Sequence, residues 1–186
     1  MESYDLEEYK MLRDEIQSCI ERDNSLATFM VTAVATILTV AISANLQVPF
    51  LFLISFCIII PFSARLAHYK SNVARISAYM IVYLEPKMSI KYETNAIKYK
   101  NPKSKKSMLI ISMRNYIGMW LGVISYLIYV VEFINKINIT SWYHYVALIV
   151  PAFLIFLCFK IDKKIDSVGK ERNEWIEIYK KSKESN

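Results

Sequence analysis

Four apolar runs divide this chain, at residues 26–44, 48–65, 115–134 and 143–160, with polar stretches between them. Each is close to the roughly 20 residues a helix needs to cross a hydrocarbon core about 30 Å thick. Lipid offers no partner to a free backbone N–H or C=O, so the pattern predicts four transmembrane helices. Outside the runs, apolar positions return every three or four residues. They do so at Tyr9, Leu12, Ile16 and Cys19, at Leu66, Tyr69, Val73, Ile76, Met80 and Tyr83, and at Ile161, Ile165, Val168, Trp175 and Tyr179. That period predicts amphipathic helices, packed on one another within the chain or coiled between subunits. Glu85-Pro86 is expected to end the second of them, because the residue before a proline is pushed out of the α region.

The chain therefore reads as an all-α membrane protein in five segments. These are a cytoplasmic amphipathic helix at 1–25, a transmembrane hairpin at 26–65, a cytoplasmic helix and lysine-rich segment at 66–107, a second hairpin at 108–160 and a cytoplasmic helix at 161–186. Composition agrees: 54% of the 186 residues are apolar, and only three are glycine. The first 24 residues are acidic and polar and do not read as a cleavable leader. Ten basic residues lie in 65–107 against Glu85 and Glu93, and eight against six acids from Lys160 onward. The short turns at 45–47 and 135–141 hold between them only Lys136. By the positive-inside bias, both termini and the central connection are expected in the cytoplasm.

Little in the chain points to catalysis. Cys19, Cys57 and Cys158 form no CxxC pair, and His68 and His144 fall in segments expected on opposite sides of the membrane. No nucleophile elbow, phosphate loop, dinucleotide fingerprint or HExxH is present. The expectation is a protein that is not an enzyme and needs no metal or cofactor.

Two features of the spans carry more. Ser25, Thr28, Thr32, Thr36, Thr39 and Ser43 are spaced by 3, 4, 4, 3 and 4 residues, which gathers six hydroxyls on one stripe of the first span. A hydroxyl in a membrane helix bonds back to a carbonyl one turn earlier, so the stripe suits a packing face as well as a pore lining. For the pore reading the lining residues are Thr32, Thr36, Thr39 and Ser43. In GMWLG, Gly118 and Gly122 lie one turn apart and predict a close helix–helix contact. Arg114 before it is expected to snorkel to the cytoplasmic interface, and Pro61 and Pro151 permit kinks in the second and fourth spans.

The segment KMSIKYETNAIKYKNPKSKK, residues 87 to 106, carries seven lysines and the single acid Glu93. Lysines beside a membrane set topology and attract anionic headgroups. The same lysines with interleaved tyrosines also suit a polyanion whose bases stack. On that second reading Lys98, Lys100, Lys103, Lys105 and Lys106 are the contacts, and Tyr92 and Tyr99 the stacking platforms.

EYKMLRDEIQSCIERDNSLATF, residues 8 to 29, resembles the E-Y-x-x-L-R-x-E-I opening that precedes the first span in small bacterial membrane proteins of anti-phage defence. ARISAYMIVYLEPKMSIKYET, residues 74 to 94, is similar to the companion cytoplasmic motif of that group, with Arg75, Ile76, Tyr79, Val82, Glu85 and Pro86 in matching places. The resemblance implies a Hailong-type membrane effector. Its partner would be a cytoplasmic nucleotidyltransferase whose nucleotide or short single-stranded DNA product controls it. Two function classes follow: an oligomeric channel or pore-forming effector under an anionic ligand, or a non-conducting scaffold that recruits a cytoplasmic partner. Four spans enclose no obvious conduit, so a pore would be assembled between copies of the chain amid membrane lipids.

Overall fold

In a computed structural model, residues 2–43, 49–88, 91–99, 114–136 and 142–185 are described, and among them there are helices and no strand. Helix α1 runs without interruption over Glu2–Ser43. No glycine or proline occurs before Pro49, so nothing breaks it, and at 1.5 Å per residue it is about 63 Å long. A 3₁₀ turn at Pro49–Ile54 leads into α2, Ser55–Tyr79. A π-helical turn follows at Met80–Leu84, then α3 at Glu85–Met88 and α4 at Tyr92–Tyr99. Further helices among the described residues are α5 at Ile117–Lys136, α6 at Trp142–Asp166 and α7 at Val168–Glu184. Among the described residues, three helical stretches, Tyr4–Ser43, Leu51–Met88 and Ile117–Asn135, are long and apolar enough to cross a membrane.

The helix expected to stop at Glu85-Pro86 does not stop there. Proline removes one N–H and clashes with the carbonyl four residues back, here Val82. The π turn widens the helix at that place, with the Glu85 N–H bonding the Met80 carbonyl five residues back, and Pro86 is carried inside the helix that continues to Met88. The Val82 carbonyl takes its proton instead from Lys183 Nζ at 3.2 Å. The second apolar run also differs from a plain α-helix, since it begins as a 3₁₀ turn at 49–54 before becoming α-helical.

The chain divides into two compact units. One comprises Met1–Asn24, His68–Ser112 and Ile165–Asn186. Its apolar cluster is Ile16, Ile76, Met80 and Leu84, with Tyr9, Leu12, Val73 and Tyr79 packed against it. The seams read on α1 and α2 thus meet within one chain. Tyr79, Tyr83 and Tyr179 add a group of rings 5.1–6.0 Å apart, and Tyr83 donates to the Tyr179 carbonyl. The Tyr79 hydroxyl donates to Glu8, and burial followed by that carboxylate pushes its pKa up to about 12.

The other unit comprises Ser25–Ala67 and Met113–Lys164. Val34, Leu38 and Ala41 of α1 pack with Phe52, Phe56, Ile59, Tyr129, Phe133 and Cys158. Gly118 lets α5 approach Ser63 and Asp162, both fully buried; a Cβ there would overlap Ser63 Oγ and lie 3.1 Å from Asp162 Oδ1. At Gly122 a Cβ would meet the Phe56 ring at 3.2 Å. Asp162 Oδ2 accepts the Met119 N–H at 2.7 Å, which supplies an acceptor and a negative charge to the first turn of α5.

Candidate functional site

The hydroxyl stripe is exposed over its whole length, from Ser25 through Thr28, Thr32, Thr36 and Thr39 to Ser43. The reason is angular. Met30, Val34, Leu38 and Ala41 form the buried face of α1, and Val34 lies two residues, or about 200° of rotation, from both Thr32 and Thr36. The threonine hydroxyls donate to carbonyls one turn back: Thr32 to Thr28 at 2.9 Å, Thr36 to Thr32 at 2.9 Å and Thr39 to Ala35 at 2.8 Å. Each keeps acceptor lone pairs that this bond does not use. The stripe is therefore not the face by which α1 packs on its own chain.

Of the predicted ligand contacts, Lys100, Lys103, Lys105 and Lys106 lie outside the described residues. Lys98 and Tyr99 close α4 in backbone only, their side chains falling outside as well. Tyr92 is described and exposed, and its ring is already engaged: the Arg13 guanidinium stands 4.2 Å from its centroid and donates to its hydroxyl at 2.8 Å. Lys87, part of the same basic run, pairs with Asp5 of α1 at 3.3 Å.

Around Tyr92 the structure assembles a charged cluster from five helices, α1, α2, α3, α4 and α7. Glu85 and Glu93 are both buried, at 4% and 8% exposure. The Glu85 carboxylate accepts the backbone N–H groups of Glu93 at 2.6 Å and Thr94 at 3.3 Å, and the Thr94 hydroxyl as well. A residue preceding α4 thus satisfies the donors that begin it, where the charge also meets the positive end of the helix. Glu93 in turn takes Arg13 Nη1 of α1 at 2.5 Å on Oε1 and the Ser77 hydroxyl of α2 at 3.1 Å on Oε2. Arg172 of α7 interacts with Glu93 through charge. Burial pulls the Arg172 pKa down and Glu93 pushes it back up, and its Nε is buried without a hydrogen-bond partner.

Reading the sequence alone missed Arg13, Ser77, Glu85 and Arg172 as members of one site, because Arg13 and Glu93 are 80 residues apart. The chain carries one signal of it: Glu93 is the single acid in a run of lysines. Chemically, the cluster fixes α4 to α1 and α2 through charge-assisted bonds and presents an Arg–Tyr stack at the surface. No group of three or more metal-ligating side chains occurs among the described residues. Neither a protein-family model, nor a curated protein, nor a solved structure matches this chain.

Proposed function

We propose that this protein is an oligomeric membrane channel or pore-forming effector, in which the α1 hydroxyl stripe lines an aqueous path between copies of the chain. The observation that carries this reading is the outward exposure of all six stripe hydroxyls, opposite the face on which α1 packs. In the same proposal α6 is the fourth span, both termini and the 66–107 connection are cytoplasmic, and the protein serves bacterial anti-phage defence as a Hailong-type effector. Its regulator is an anionic, nucleotide-derived ligand, a nucleotide or short single-stranded DNA made by a partner nucleotidyltransferase, received by the 87–106 segment.

Cysteine scanning tests the path. In a background lacking Cys19, Cys57 and Cys158, cysteines at 32, 36, 39 and 43 are expected to react with a water-soluble thiol reagent and to alter ion flux in liposomes. Cysteines at 34, 38 and 41 are expected to stay protected. Uniform protection of the stripe in a conducting preparation rejects the lining. No flux under any ligand, with a monomeric mass, returns the protein to the scaffold class.

A second experiment tests the ligand. Replacing Lys98, Lys100, Lys103, Lys105 and Lys106 with glutamine is expected to weaken binding of a single-stranded oligonucleotide. The slope of log affinity against log salt should flatten by about 0.7 for each phosphate that the protein no longer neutralises. Unchanged binding and slope would make the lysines topology or headgroup features.

A further inference from the structure

We propose that the Arg13–Glu93 pair is the point at which an anionic ligand of the 87–106 segment acts on α1: a phosphate of the ligand competes with Glu93 for the Arg13 guanidinium. The inference rests on the proposed ligand and adds to it a contact residue and a displacement.

The two partners differ in accessibility. The Arg13 side chain is 39% exposed whereas that of Glu93 is 10%, so an arriving anion reaches the cation from solvent while the carboxylate stays covered. A guanidinium has five N–H donors in a planar fork. Here Nη1 serves Glu93 and Nη2 serves the Tyr92 hydroxyl, which leaves donor capacity for a phosphate oxygen. On its arginine side the pair is open to solvent, which screens it and lets a second anion reach the guanidinium.

Glu93 does not lose all compensation when Arg13 leaves it. A buried carboxylate stripped of every cation would oppose the exchange. Ser77 keeps its hydrogen bond to Glu93, and the partly buried Arg172 still interacts with that carboxylate through charge. The cluster thus has a second cation with which to hold the charge.

Recognition and transmission both pass through Arg13. It lies over the Tyr92 ring at 4.2 Å, and arginine planes and aromatic rings are the surfaces on which unpaired bases stack. It also belongs to the same uninterrupted helix as Thr32 and Ser43. A force on Arg13 is therefore a force on the helix that carries the proposed lining.

The test uses the full chain in nanodiscs of zwitterionic lipid, a fluorescent short oligodeoxynucleotide as probe, and flux measured in liposomes of the same lipid. Glu93→Gln, which releases Arg13 from its competitor, is expected to tighten binding several-fold. Arg13→Gln is expected to weaken it by about tenfold and to abolish the effect of the oligonucleotide on flux. Arg13→Lys keeps the charge without the fork or the stack and should fall between, which preserves the test where the glutamine variant does not insert. If Glu93→Gln and the Arg13 variants bind as the unaltered protein does, while the five-lysine variant loses binding, the competition is overturned and the ligand site stands. If the unaltered protein binds no oligonucleotide at all, the ligand reading falls and the competition with it.

Discussion

Gly118→Val is expected to abolish accumulation of correctly inserted protein. Even a methyl at this position overlaps Ser63 Oγ, and both Ser63 and Asp162 are fully buried with nowhere to retreat. Overpacking of a filled interior costs about 1–3 kcal/mol and sometimes more, and valine adds two further carbons to the overlap. The change also threatens the bond from the Met119 N–H to Asp162 Oδ2, since displacing Asp162 leaves a buried carboxylate and a helix-initiating donor without each other. Membrane-fraction yield and thermal aggregation in detergent measure the loss. Gly118→Ala should be milder, and Ser63→Ala should partly rescue it by removing the oxygen in the way. A double-mutant cycle showing no coupling between positions 63 and 118 would refute this origin of the effect.

Glu85→Ala is expected to unfold α4 while leaving α1 and α2 helical. Eight residues are too few for a helix to hold by itself in water, where about 12–15 are marginal. What holds α4 is tertiary: Glu85 satisfies the N–H groups of Glu93 and Thr94, and Glu93 is tied to Arg13 and Ser77. Leaving buried donors unsatisfied costs about 1–3 kcal/mol each, which exceeds what a helix this short supplies by propensity. Hydrogen exchange should show amides of 93–99 losing protection, with those of 55–79 unaffected. Glu85→Gln keeps an acceptor oxygen without its charge and should lose less. Equal protection in the alanine variant would mean that α4 is held by contacts other than this carboxylate.

The apolar runs and the three-to-four-residue seams were readable in the sequence because both are local properties. A bilayer forces each backbone group to find its partner within its own helix, so an apolar run of sufficient length already implies the structure of its backbone. The seam Tyr9, Leu12, Ile16 and Cys19 likewise announces a helix face by its spacing alone. The hydroxyl stripe was legible in the same way, since its period follows from 3.6 residues per turn. Which way it faces was not legible. Thr36 and Val34 are both compatible with a membrane interior, and only the packing of Val34, Leu38 and Ala41 against Phe52, Phe56 and Tyr129 turns the hydroxyls outward. Pro86 failed as a helix terminator because its local penalty is met by a π turn and by Lys183, which lies 101 residues beyond the Val82 carbonyl it serves. The cluster at Glu93 is the clearest case. Arg13, Ser77, Glu85, Glu93 and Arg172 look like ordinary surface polar residues one by one, and what makes them a site is burial in a low-dielectric place where each charge must find another. Burial of that kind is a property of several helices meeting, so the sequence could determine the helices and their periods, while the tertiary structure alone decided which charges met.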